Sequence, residues 1–164
     1  MDKFNLAEIS KKLAATKQEL LIQLSVQAQN YFAKSFKNQG FDGNQWEEVK
    51  RRKPEENAYK YPKGKGLQRR TQPILTGAGY KQRGGALRKA VATMSTTAVF
   101  RGNQIVMNVN LPYAKIHNEG LQGKAFGKYP FTMPKRKFVG QTNELTEMQR
   151  KKITKVVDQI WGTK

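Results

Sequence analysis

The chain has 164 residues, the length of one ordinary domain, and a domain of that size buries roughly 70% of its unfolded surface, so a single domain spanning 1–164 is expected. Its 31 Lys and Arg against 12 Asp and Glu give a net charge of +19, a field that draws polyanions or acidic protein faces without saying which. The absence of cysteine and the presence of one histidine, His117, exclude disulfide frameworks, zinc ribbons, Fe–S ligation and thiol catalysis, and no apolar run approaches the ~18 residues needed to span a bilayer.

The N-terminus, Met1-Asp2-Lys3, lacks the apolar stretch of a signal peptide, so the protein is expected to be soluble and made in the cytoplasm. From Asn5 to about Phe36 the apolar residues Leu6, Ile9, Leu13, Leu20, Leu24 and Tyr31 recur at three- and four-residue steps or their multiples, which predicts a long amphipathic helix. Asn38, Gln39 and Gly40 are expected to end it, the glycine taking a left-handed conformation, and Trp46 to anchor the next turn to the core.

Residues 50–73 carry Lys50, Arg51, Arg52, Lys53, Lys60, Lys63, Lys65, Arg69 and Arg70 with three prolines and almost no aliphatic side chains, and are expected to form a long exposed basic arm. A glycine-rich turn follows, containing Gly77, Gly79, Gly84 and Gly85. Val91–Phe100 and Gln104–Leu111 then look extended, with Gly102 and Asn103 as a two-residue hairpin turn between them. Pro112 suits the start of a short helix through Tyr113, Ile116 and His117, and Gly120 its end. Two prolines between Tyr129 and Phe138 limit any strand there to a sheet edge. Leu145, Met148, Ile153, Val156 and Ile160 define a closing helix over Asn143–Ile160, with Glu144 and Glu147 early and Lys151, Lys152 and Lys155 late, as the helix dipole prefers. The fold class that results is α+β: a long N-terminal helix and a C-terminal helix packed on a small antiparallel sheet, with the basic arm projecting.

Motifs for chemistry are missing. The glycine that a phosphate-binding loop requires five residues before Gly-Lys is replaced by Tyr59, Asn118 and Gln122 at the three possible places, and a dinucleotide fingerprint beginning at Gly77 fails at Gln82. His117 with Glu119 reads as a packing or hydrogen-bonding residue beside a surface acid, and the pairs Glu47-Glu48 and Glu55-Glu56 read as solvated surface. No catalytic residue, metal ligand or cofactor is expected. Tyr59 and Tyr61 interleaved with the basic residues of the arm are what single-strand binding uses, stacking plus phosphate neutralisation, but a solvated loop or an arm ordered only against an acidic protein neighbour is preferred because no nucleic-acid-binding fold signature accompanies them.

Three segments together resemble the phage virion morphogenesis family, the tail-completion (neck) proteins of Mu-like and P2-like phages, over roughly Phe32 to Gly140. The first is Phe36 to Trp46, a helix end followed by a glycine and a tryptophan. The second is Ile74-Leu75-Thr76-Gly77 with Leu87-Arg88-Lys89-Ala90-Val91 downstream, across the additional residues Ala78 to Gly85. The third is Tyr113-Ala114-Lys115-Ile116-His117-Asn118-Glu119-Gly120 followed by Pro134-Lys135-Arg136-Lys137-Phe138, similar to the family's Tyr-Ala-x-x-His-x-x-Gly and later Pro-x-Arg-x-Phe. On this resemblance Trp46, Gly77, Leu87, Tyr113, His117, Gly120, Arg136 and Phe138 are scaffold residues, with Tyr113 and Ile116 expected to pack on the sheet. The resemblance implies a non-enzymatic virion protein that forms a homo-oligomeric ring at the head-tail junction against connector and tail proteins, with contact to DNA in the channel as a further use of the charge. The alternative is a basic nucleic-acid-binding protein.

Overall fold

The apolar spacing of the first third produces helix α1, Leu6–Asn38, in a computed structural model that describes residues 6–63, 70–75, 85–125 and 127–161. At 1.5 Å per residue its 33 residues reach about 50 Å. From Ser10 to Leu20 the side chains are exposed or half-buried, and burial begins at Leu21 and continues through Leu24, Ala28, Tyr31, Phe32 and Phe36.

The helix does not end as the glycine suggested. Gln39 takes the left-handed conformation, with φ at 54°, while Gly40 is required for a different reason: a Cβ there would lie 2.5 Å from the carbonyl oxygen of Asn44. Gly40–Phe41 (β1) and Asn44–Gln45 (β2) form a minimal antiparallel ribbon, and the Trp46 N–H donates back to the Gln39 carbonyl at 2.8 Å. Gln39 also bridges outward, its amide donating to the Phe36 carbonyl at 2.6 Å and its side-chain oxygen accepting from the Ile74 N–H.

A 3-10 turn at Lys50–Arg52 and a one-turn helix, α2, at Asn57–Lys60 follow. The expected extended stretch from Val91 is instead helical at its start: α3 covers Ala86–Ala92 and a second 3-10 turn covers Met94–Thr97. Leu87, Val91 and Met94 sit at helical spacing and are 3%, 0% and 1% exposed, so the burial of one helical face outweighs the strand preference of the valine and threonines. The hairpin proper is shorter than expected, Val99–Arg101 (β3) paired with Gln104–Val106 (β4) through the Gly102-Asn103 turn. Beyond it Met107, Val109 and Leu111 lean on the core as irregular chain.

Helix α4, Ala114–Glu119, ends at Gly120 in the left-handed region (φ 70°, ψ 43°), with the Gly120 and Leu121 N–H groups both donating to the Ile116 carbonyl. Gly120 also has no room for a side chain, since a Cβ would meet Lys135 Cβ at 2.7 Å. Gln122–Ala125 (β5) and Tyr129–Thr132 (β6) form the third ribbon, with Pro130 paired to Lys124 and the Phe131 ring lying over Gly123. Helix α5, Asn143–Trp161, starts at the buried cap Thr142, whose hydroxyl accepts from the Leu145 N–H at 3.0 Å.

The architecture is therefore mixed helix and sheet, with a long N-terminal helix, a C-terminal helix and, among the described residues, antiparallel pairing divided among three two-stranded ribbons. Strands of two to four residues are too short to gather into one continuous sheet, and the helices and aromatic side chains supply the core in its place. Tyr31 donates to Glu144 and Gln27 to the Met148 carbonyl, so partners advance along α5 as they retreat along α1, and the two helices run antiparallel. Burial raises the Tyr31 phenol above its usual pKa, with the Glu144 carboxylate adding to the shift, so the hydroxyl stays protonated as the donor of that bond. No described helix is long and apolar enough to cross a membrane.

Candidate functional site

The sequence motifs far apart in the chain meet at one knot. Trp46 packs edge-on against Phe36 with centroids 5.6 Å apart, Phe36 lies 5.6 Å from Phe138, and Trp46 Nε1 donates to the Lys137 carbonyl at 2.7 Å. Trp46, Leu87 and Phe138 are 7%, 3% and 1% exposed, which places three of the motif residues in the core. Arg136, 5% exposed, donates through Nη2 to the Glu47 carbonyl at 3.0 Å, and its own N–H donates to the His117 carbonyl at 2.9 Å. Tyr113 departs from expectation: it is 40% exposed and lies edge-on to His117 at 5.9 Å, while the neighbouring Ala114 turns into the core. The reason is the short helix itself, which buries one small residue and leaves its cap outside. Gly77 lies outside the described residues.

Asn118, which the motif pattern passed over, does most of the joining. Its Oδ1 accepts from the Phe138 N–H at 2.9 Å and the Val139 N–H at 3.0 Å, and its Nδ2 donates to the Val139 carbonyl at 3.1 Å. The side chain thus replaces a strand partner for a segment that belongs to no ribbon. The signal available in the sequence was an asparagine on a short helix just ahead of a required glycine, a residue type that commonly bonds to backbone.

His117 is half-buried beside the Arg136 guanidinium, and its Nδ1 is buried without a hydrogen-bond partner. Burial first, and the neighbouring positive charge second, hold its pKa below the usual value of 6.5. Burial also lowers the Arg136 pKa, opposed by Glu47 and Glu48, and the guanidinium remains cationic at neutral pH. The unfolded chain therefore takes up a proton on His117 at a higher pH than the folded one. Its contribution to stability is complete above about pH 6.5 and declines as pH falls through the interval down to the folded pKa. Replacing His117 with Gln is expected to flatten the fall in melting temperature between about pH 7 and 5, while the carboxylate-driven loss at lower pH persists in both proteins. Identical pH profiles for the two would contradict this assignment.

The basic residues from 50 to 70 divide by role. Arg51 Nη2 donates to the Gln72 carbonyl at 2.9 Å, and Arg52 donates to the carbonyls of Arg70 at 2.8 Å and Gln72 at 2.6 Å, so these two close the segment on itself. Arg70 stacks over the Tyr59 ring at 3.8 Å and donates to the Tyr59 carbonyl. Lys53 is half-buried and lies 3.8 Å from Glu47. Lys50, Lys60 and Lys63 are left exposed with Tyr61, which is 73% exposed. Lys65 and Arg69 lie outside the described residues. The segment is thus a loop folded back on itself by arginines that cap carbonyls, a form of order that needs no aliphatic core and that hydrophobic content does not reveal.

Large apolar side chains are left uncovered elsewhere. Val99 and Val106, 49% and 45% exposed, are directly opposed across the β3–β4 ribbon and so share one face, while Phe100 and Ile105 occupy the other. Leu13 on α1, and Ile153 and Val157 on α5, are each at least 40% exposed. Among the described residues no group of three or more His, Cys, Asp or Glu side chains is placed to hold a metal ion. Arg136 and Asn118 in the knot bond chiefly to backbone, and His117 Nδ1 has no hydrogen-bond partner among the described residues. No family model matches the chain, and neither a curated protein nor a solved structure does.

Proposed function

We propose that this chain is a structural virion protein of a tailed phage: a neck or tail-completion subunit that assembles in the host cytoplasm into a homo-oligomeric ring at the head-tail junction. It would contact the adjoining connector and tail proteins and be needed to join tail to head. The observation that carries this reading is the convergence of Phe36–Trp46, Leu87 and the two halves of the third motif on one buried knot, where they act as scaffold. A motif that is spent on holding a fold, on a chain that leaves paired apolar faces uncovered, suits a protein whose work is assembly. Copies that each carry +19 repel one another, so ring formation should strengthen as moderate salt screens the repulsion or as an acidic neighbouring ring offsets it.

The uncovered face of the β3–β4 ribbon is the most direct place to test subunit contact. Changing Val99→Asp together with Val106→Lys puts opposite charges on a directly opposed pair, which preserves the hairpin while removing its apolar face. The double variant is expected to melt close to wild type and to remain monomeric by light scattering where wild type forms rings. Rings of unchanged mass in the folded variant would exclude this face as the contact.

A further inference from the structure

We propose that the folded-back basic segment binds single-stranded nucleic acid, with Tyr61 stacking on a base and Lys50, Lys60 and Lys63 neutralising phosphates. The inference is independent of the ring assignment, because it concerns one segment of one chain. Residues 50–73 carry nine Lys or Arg and two Glu; Lys50, Arg52 and Lys53 are ion-paired with Glu56, Glu48 and Glu47, and with the two preceding acids counted the local charge is still +5. The charge that remains makes phosphate neutralisation with counterion release available to it.

Charge alone would fit any polyanion, and the aromatic ring narrows the choice. Tyr59 is covered by the Arg70 guanidinium at 3.8 Å, so it is engaged inside the fold. Tyr61, two residues on, closes helix α2, its N–H donating to the Asn57 carbonyl at 2.8 Å, while 73% of its surface is open. A ring held on an ordered turn and flanked by Lys60 and Lys63 offers a base a face to stack on and its phosphates a cation on either side. Arg70 ties that turn to the returning chain through the Tyr59 carbonyl, and Arg51 and Arg52 hold the returning chain through the carbonyls of residues 70 and 72. Lys50, at 4.0 Å from Glu56, stands on the adjoining 3-10 turn with its side chain 77% exposed. A stacked base requires an unpaired strand, so a single strand is favoured over a duplex. An open aromatic next to a lysine recurs at the β5–β6 hairpin, where Tyr129, paired with Ala125, is 66% exposed and follows Lys128.

The test is fluorescence anisotropy on the full chain with three probes: short oligothymidylate, a duplex of the same length, and heparin as a polyanion without bases. Oligothymidylate is expected to bind more tightly than duplex, with affinity falling steeply between about 50 and 200 mM salt. Tyr61→Ala should weaken oligothymidylate binding by roughly five- to a hundredfold, leave heparin binding unchanged and leave the melting temperature at the wild-type value. Lys60→Glu with Lys63→Glu should weaken both ligands. A Tyr61→Ala protein that binds oligothymidylate as wild type does, a preference for duplex, or no binding of oligothymidylate by the wild-type chain would overturn the proposal. Ring formation can succeed or fail in the same samples without changing any of these outcomes, so the two readings fail separately.

Discussion

Replacing Phe138 with Ala is expected to lower stability by about 3–5 kcal/mol, the range for removing a fully buried phenylalanine ring. Phe138 is 1% exposed and lies against Phe36, which in turn supports Trp46, so the cavity opens where three chain segments meet. For a domain of this length each kcal/mol moves the melting temperature by about 2–4 °C, which places the shift at about 6–20 °C. Against a total of about 5–15 kcal/mol for ordinary domains, the variant would be marginal at physiological temperature. Phe138→Leu keeps most of the volume and should cost under about 1.5 kcal/mol. Chemical denaturation of the three proteins measures this directly, and an Ala variant within about 1 kcal/mol of wild type would show that Phe138 is not part of the core.

The second large effect belongs to Asn118. Asn118→Ala removes the acceptor of two backbone N–H groups and the donor to one carbonyl, at 2.9, 3.0 and 3.1 Å, beside a residue that is almost fully buried. A buried polar group left without a partner costs about 1–3 kcal/mol, so a loss of about 2–4 kcal/mol is expected for the set. Asn118→Asp retains the acceptor oxygen for both N–H groups but loses the bonds that Nδ2 donates to the Val139 carbonyl and the Glu119 carboxylate and sets a negative charge against both, so it should hold the two amides without restoring full stability. Hydrogen exchange at the Phe138 and Val139 amides gives the local check: both are expected to exchange much faster in the Ala variant and to stay protected in the Asp variant. Equal protection in all three proteins would mean that these amides are held by something else.

The long helices were legible because their apolar spacing extends over many turns, and α1 and α5 fall close to the expected bounds. The Gly102-Asn103 hairpin and the Gly120 stop were legible because each demands a backbone conformation that few residues adopt. The stretch from Val91 was misread because its β-branched residues suggest a strand, whereas Leu87, Val91 and Met94 present one buried helical face. Gln39 and Asn118 were harder to read for a different reason: each is a polar side chain that replaces a missing backbone partner 35 or 20 residues away, and although an asparagine ahead of a required glycine hints at a backbone bond, no local pattern encodes that distance. The arginines of the 50–73 segment were legible as charge, while their use as carbonyl caps depends on the fold-back of residues 70–73.

The central claim is that this chain works by assembling with itself and with the end of a tail. The most direct measurement is the mass and shape of the purified protein by light scattering and negative-stain microscopy in moderate salt, with and without isolated tails. The account predicts closed rings, or protein located at one end of the tail. A monomer that stays monomeric and ignores tails would contradict it.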